Sequence, residues 1–260
     1  MGWRQRWAGP GALLAVAALL PWPLLAGPNN WWAFALITAA ILAVLSLLFG
    51  PGWASRAGLD LSRREAVSVI AVFALIAVAS TMLLHHVYAA AGLRVDAPDV
   101  KVQAGFLFQA FNEEIFFRAL MIGVLLAYVR SAVAISLGLA LIFAAAHFLL
   151  YRFSNPMHLA LSVAALTTLF LAGVAMNNLY LAFRHIGFSW ALHAGWNVVW
   201  LPAAFYDAAT HARLYEPQIF ERVLGAPSVA DLAGVVAVLS FVLLARHSTG
   251  AAPRSQRKAR

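Results

Sequence analysis

Long apolar runs separated by short polar breaks dominate the chain. Read against glycine, proline and charge, they predict helices over residues 11–26, 31–49, 66–91, 104–128, 131–151, 158–183, 188–206 and 229–245. A helix needs ~20 apolar residues to cross a hydrocarbon core, and most of these runs approach or exceed that length. The expected fold is therefore all-α, a polytopic transmembrane helical bundle of about eight spanning helices, with residues 1–260 as a single integral membrane domain. The breaks carry turn chemistry: Gly27, Pro28, Asn29 and Asn30, then Gly50, Pro51 and Gly52, later Asn155 and Pro156. Pro21 and Pro23 should kink the far end of the first span, each removing a backbone donor. Arg4 and Arg6 ahead of that run suggest a signal peptide, but Leu24 stands where a small residue should precede cleavage after Ala26. The segment is read as a span. No internal repeat is apparent.

Composition narrows the class. Of 260 residues, 63% are hydrophobic and 11% charged, against roughly 45–50% and about 25% in soluble globular chains. An ordinary cytosolic enzyme, a disordered tail and a secreted disulfide scaffold are excluded. With no cysteine there is no disulfide framework, thiolate metal site or thiol nucleophile. The net charge of +8 is mostly topology. Arg4, Arg6, Arg56, Arg63, Arg64, Arg130, Arg184, Arg246, Arg254, Arg257, Lys258 and Arg260 fall on one side of an eight-span chain. Arg94, Lys101, Arg152, Arg213 and Arg222 fall on the other, and the asymmetry places both termini in the cytoplasm, with the plasma (inner) membrane as the expected location. The basic cytoplasmic tail, residues 246–260, lacks aromatic residues for stacking on bases, so anionic lipid rather than nucleic acid is its expected neighbour.

Polar residues inside apolar spans are where function is expected, because a charge at membrane depth costs several kcal/mol unless paired or hydrated. The fourth span holds Asn112, Glu113, Glu114 and Arg118 within two turns. Glu114 and Arg118 are spaced i, i+4, and this pairing favours a structural or supporting role for Glu114 over direct chemistry. Glu113 points about 100° away and has no basic residue three or four positions off, so compensation must come from another helix. A buried carboxyl group of this kind suits a general base or proton carrier; the competing reading is a permanently protonated, hydrogen-bonded Glu. Phe143 and His147 share one face of the fifth span. Alone, His147 is more simply a satisfied structural imidazole; beside an uncompensated Glu, chemistry is the better reading. His193 and Asn197, four apart on the seventh span, could donate two hydrogen bonds to one oxygen, as an oxyanion hole requires, or serve as interhelical glue.

Weaker candidates surround these. His85 and His86 are adjacent on a helix and diverge too far for an obvious metal pair. His158, His185, His211 and His247 fall at span ends or in connections. Trp31, Trp32, Trp190, Trp196 and Trp200 suit interfacial anchoring or packing. Asn177 and Asn178 are expected to hydrogen-bond across helices. No H-E-x-x-H, G-x-S-x-G or phosphate-binding Gly-Lys-Ser/Thr loop occurs.

Three signatures follow in order: Glu113-Glu114-x-x-x-Arg118, Phe143-x-x-x-His147 and His193-x-x-x-Asn197. Together they resemble the CPBP family of intramembrane proteases, which includes the CAAX prenyl endopeptidases, and the resemblance spans a catalytic core at about residues 105–201. What it implies is that Glu113 activates water with help from His147, while His193 and Asn197 stabilise the tetrahedral oxyanion. Glu114, Arg118 and Phe143 would support them. The reaction implied is hydrolysis of a peptide bond in a membrane-embedded or membrane-associated substrate, by a glutamic protease of a type once classed as metalloprotease. No cofactor or metal is implied, although one carboxylate and two imidazoles are in principle a zinc set. Bacterial relatives are associated with bacteriocin immunity, peptide maturation or C-terminal sorting signals, so a prenylated substrate does not follow. A proton-coupled transporter and a noncatalytic bacteriocin-immunity-type membrane protein are the rival readings. One tension stands in the helix boundaries. At ~1.5 Å per residue, Glu113 lies near the middle or outer half of its span, His147 near the outer end and His193 nearer the cytoplasmic end. Tilt, longer fourth and fifth helices or an unwound start to the seventh would let them meet.

Overall fold

The computed structural model describes residues 31–90, 92–95, 100–153, 161–200, 205–207, 210, 213–214 and 221–250. The expected span at 11–26, the Asn155–Pro156 connection, His158, His211 and the tail beyond residue 250 lie outside the described residues. The remaining seven expected helices are all found. They are α1 (Trp31–Phe49), α3 (Arg63–Ala90), α4 (Val100–Glu114), α5 (Ala132–Phe153), α6 (Val163–Phe183), α7 (Gly187–Trp200) and α8 (Pro227–Gly250), with a single-turn α2 (Trp53–Arg56) after α1. Residues 246–250, expected in the basic tail, thus continue α8. Helix α4 runs on without a break as a π-helix, Ile115–Ile122, and a last turn, Gly123–Leu125.

Local chemistry sets the boundaries. Ser62 and Glu65 form a reciprocal cap at the start of α3: the Ser62 N–H donates to Glu65 Oε2 at 2.8 Å and the Glu65 N–H to Ser62 Oγ at 3.3 Å. Ser162 caps α6 by accepting from the Ala165 N–H, while its own N–H donates to Glu221. Pro202, two residues beyond Trp200, cannot continue a helix. This corrects the expected seventh helix at 188–206: residues Phe205–Asp207 are β2, hydrogen-bonded between β1 (Leu93–Val95) and β3 (Arg213–Leu214) in a small antiparallel sheet. The molecule is otherwise a helical membrane protein, and four described helices are long and apolar enough to cross a membrane: α3, α5, α6 and α8. A shorter apolar stretch, Ala35–Phe49, lies in α1.

Helix α6 is the central post. In its most apolar window 61% of residues are buried, against 12% for α3, which turns Val67, Ile70, Leu75, Val78 and Met82 outward toward lipid. Hydrophobic burial cannot drive association between helices in lipid, so close backbone approach and polar contacts must hold the bundle. Both are present. A Cβ at Gly173 would lie 3.1 Å from Ala140 Cα, so α6 needs glycine to seat against α5. Asn177 donates to the Ser136 carbonyl at 2.8 Å and Asn178 to Ser240 Oγ at 3.0 Å, the cross-helix bonds expected of this pair.

Helices alternate in direction, which gathers the α1–α3 connection, the residue 126–131 turn, the α6–α7 link and the end of α8 at one end. Phe183 packs on His247 with ring centroids 4.9 Å apart, and Phe49 reaches Gly123. Arg56, Arg63, Arg64, Arg130, Arg184 and Arg246 therefore share that end. In the α6–α7 link Arg184 is exposed, whereas His185 and Ile186 turn inward. The turn after α2 covers them: Gly58, at φ 70°, accepts from the Ile186 N–H at 2.9 Å, and a Cβ on Gly58 would meet the Arg184 carbonyl oxygen at 2.6 Å. Tyr180 also donates to the Ala57 carbonyl. His185 and Ile186 are consequently buried, and α7 begins inside the protein.

Candidate functional site

That buried start answers the depth problem. A short α7 entering below α2 brings His193, ~9 Å along its axis, level with Glu113 and Glu114 at the end of α4. Gly195 then lets α7 lie against α3, since a Cβ there would be 3.0 Å from Ile76 and 3.1 Å from the Phe73 carbonyl oxygen.

The two carboxylates have different surroundings. Glu114 is fully buried, and its Oε1 accepts from Arg118 Nη1 at 3.0 Å and from His193 Nδ1 at 2.9 Å. The i, i+4 pair expected within α4 is thus present and also ties α4 to α7. Glu113 is 14% exposed. Its Oε1 accepts from Gln109 Nε2 at 3.1 Å, whereas its Oε2 is a buried atom with no hydrogen-bond partner among the described residues. Facing that oxygen at 3.7 Å is His193 Nε2, from another helix. A gap of 3.7 Å is too long for a hydrogen bond but can be spanned by one oxygen atom bonding to both sides.

His147 is placed by its own helix: Nδ1 lies 2.9 Å from the Phe143 carbonyl oxygen, which can only accept, so in the neutral ring Nε2 is the acceptor. Its electrostatic neighbours include Glu113, His193 and Arg118, which brings α5 into the same site. Phe143 is the hub. Its ring centroid is 4.4 Å from that of His147, 5.3 Å from Phe117 and 6.2 Å from His193, and the Arg118 guanidinium carbon sits 5.2 Å above it. Asn197 is buried one turn beyond His193 on α7. Asn112 accepts a hydrogen bond from Thr38, fixing α1 to α4 beside the carboxylates.

Outside this group, His85 and His86 are exposed on α3, His247 lies on the Phe183 ring, and Trp190 stacks on Phe73 at 5.6 Å. Among the described residues, no three His, Cys, Asp or Glu side chains are grouped to hold a metal ion. Sequence reasoning missed three features. Gln109, four residues before Glu113, was legible as a polar i, i+4 pair. The His193–Glu114 bond joins positions 79 apart and has no local signal. Nor does any local pattern mark the π-helix that starts right after Glu114, a geometry frequent at functional sites.

Residues 100–199 match the family model of the type II CAAX prenyl endopeptidase Rce1-like proteins. The matched stretch holds both carboxylates, Arg118, Phe143, both imidazoles and Asn197. No curated protein and no solved structure matches the chain. An Rce1-like match over α4 to α7, set among apolar helices, is consistent with the CPBP intramembrane proteases, and those helices support an integral membrane protein.

Proposed function

We propose that this protein is a glutamic intramembrane endopeptidase that hydrolyses a peptide bond of a membrane-associated substrate. The observation that carries the reading is Glu113 Oε2, a buried acceptor without a protein partner among the described residues, 3.7 Å from His193 Nε2. In the reaction, Glu113 takes a proton from water as the hydroxyl oxygen bonds to the substrate carbonyl carbon. Gln109 holds the other carboxylate oxygen, so Oε2 stays directed at the water. His147, with its acceptor Nε2, shares that proton. The carbonyl oxygen becomes an oxyanion and receives hydrogen bonds from His193 and Asn197. When the C–N bond breaks, the proton passes from Glu113 or His147 to the leaving amine nitrogen. Every proton and bond is accounted for by these side chains, without a cofactor or metal step.

The arginine-rich end supports a cytoplasmic placement of both termini, in the plasma membrane. Substrate chemistry is a membrane-associated peptide; prenylation is not required by any side chain described here. The test is hydrolysis in 18O-labelled water by protein reconstituted in vesicles. The reading predicts fragments with one label at the new C-terminal carboxylate. Substrate that crosses sealed vesicles intact would instead favour a proton-coupled transporter, and cells protected without any fragment would favour an immunity protein.

A further inference from the structure

We propose that Glu114 holds His193 as an imidazolium, with protons on both ring nitrogens, and thereby turns Nε2 into the oxyanion donor. This rests on the protease reading and adds the origin of the donor. The Nδ1 proton is already committed, because Nδ1 lies 2.9 Å from a carboxylate oxygen that is ion-paired to Arg118 and can only accept. A neutral His193 would therefore present a bare lone pair at Nε2 toward Glu113 Oε2, 3.7 Å away. Two acceptors facing each other repel, and neither gives a hydrogen bond to a developing oxyanion.

A charge count points the same way. With Glu113 ionised, as its role as base in the protease reading requires, and Glu114 ion-paired to Arg118, the cluster with a neutral His193 has a net charge of −1 in a site where Glu114 and Arg118 are fully buried. A second proton on His193 brings the sum to zero, and an uncompensated charge in such surroundings is strongly unfavourable. His147 is the weaker home for that proton, since its Nδ1 bonds a neutral carbonyl whereas His193 faces a carboxylate from each ring nitrogen. Among the described residues, the charged or titratable neighbours of His193 are Glu113 and Glu114 from α4 and His147 from α5, with Arg118 of the π-helix on the same Glu114 oxygen, and the Phe143 ring lies edge-on to His193. From α3 the described residues that meet α7 at Gly195 are Phe73 and Ile76, which add no charge. Glu114 is thus a positioning residue: it acts through His193 and does not touch the reacting atoms.

The experiment is nitrogen NMR of the full chain, labelled with 15N-histidine and reconstituted in bilayers, with the His193 signals assigned by their loss in His193→Gln. Near neutral pH both His193 nitrogens should be protonated; a protonated Nδ1 with a bare Nε2 overturns the proposal. Because Glu114→Gln alone strands Arg118, the second variant is Glu114→Gln with Arg118→Met. Its Nε2 should lose the proton and kcat should fall about 10²-fold with KM little changed. Glu114→Asp, which keeps the charge, should retain more kcat than the double variant. Wild-type kcat, or a still doubly protonated His193 in the double variant, overturns the proposal. The NMR readout needs no turnover, so a doubly protonated His193 in a protein that cleaves nothing would sink the protease reading and leave the charge assignment standing.

Discussion

Replacing Gly195 by alanine asks how closely α7 must sit on α3 for the site to work. The added Cβ would lie 3.0 Å from Ile76 Cβ and Cγ2 and 3.1 Å from the Phe73 carbonyl oxygen. Carbon atoms rest comfortably at about 3.5–4.0 Å, so α7 has to move away by roughly 0.5–1 Å. Overpacking of this size costs about 1–3 kcal/mol, but alanine regains about 1 kcal/mol of helix propensity over glycine. The net change in stability is therefore small, about 0–2 kcal/mol, and melting temperature is a weak readout. Turnover is a strong one. Gly195 lies two residues from both His193 and Asn197, and a displacement of ~1 Å in groups that position a reaction can cost ~10²-fold in rate. The assay is kcat and KM for cleavage of a membrane peptide in proteoliposomes, with thermal unfolding as the control. Gly195→Ala should lose about ten- to a hundredfold in kcat while remaining folded. Ile76→Ala in the same chain, which removes the carbon contact, should restore part of the loss. Wild-type kcat in Gly195→Ala would refute the reasoning that the close α7–α3 contact positions His193 and Asn197.

Three further outcomes are expected. Arg118→Met leaves Glu114 buried with no guanidinium partner and should destabilise the protein by about 3–5 kcal/mol in denaturant titration, so a fold as stable as wild type would contradict the ion pair's structural weight. Asn178→Ala removes the hydrogen bond to Ser240 at the α6–α8 contact, while the Ser240 hydroxyl keeps its bond to the Ala237 carbonyl, and should cost about 0.5–1.5 kcal/mol without changing kcat of the folded fraction, which equilibrium unfolding and kinetics can separate; a large loss of kcat would place α8 in the mechanism. His185, in the α6–α7 link, is held below the usual histidine range by burial, partly opposed by the Glu65 charge, and its Nδ1 accepts from the Gly187 N–H at 3.1 Å. The folded chain then binds fewer protons than the unfolded one, so this stabilisation is complete above about pH 6.5 and is lost as pH falls below it. Melting temperature should drop on acidification, and drop less in His185→Gln; equal drops would remove His185 from the account.

The helices were legible because length and apolarity alone identify them: α1 matches its expected bounds and α6 its expected C-terminal end. The Glu114–Arg118 pair was legible for a similar reason, since i, i+4 spacing fixes a contact within one helix. Asn177 and Asn178 announced cross-helix bonds because buried amides in lipid must find partners, though not which partners. What stayed hidden depends on how helices sit against each other. The depth of α7 comes from the Gly58 turn lying over Arg184–Ile186, a contact between segments more than a hundred residues apart. The hydrogen bond from His193 to Glu114 follows from that depth, and so gives Glu114 a hold on α7 that its pairing with Arg118 did not suggest. The end of α7 was misplaced because apolar residues after Trp200 outweighed the Pro202 stop.

The most direct test of the central claim compares wild-type protein with Glu113→Gln, both reconstituted in lipid and incubated with a CAAX-type membrane peptide in the presence of a metal chelator, with products read by mass spectrometry. The account predicts fragments from the wild type despite the chelator and none above background from Glu113→Gln, whose fold is unchanged by thermal unfolding. Fragments from Glu113→Gln at the wild-type rate, or cleavage that stops on chelation and returns with zinc, would contradict it.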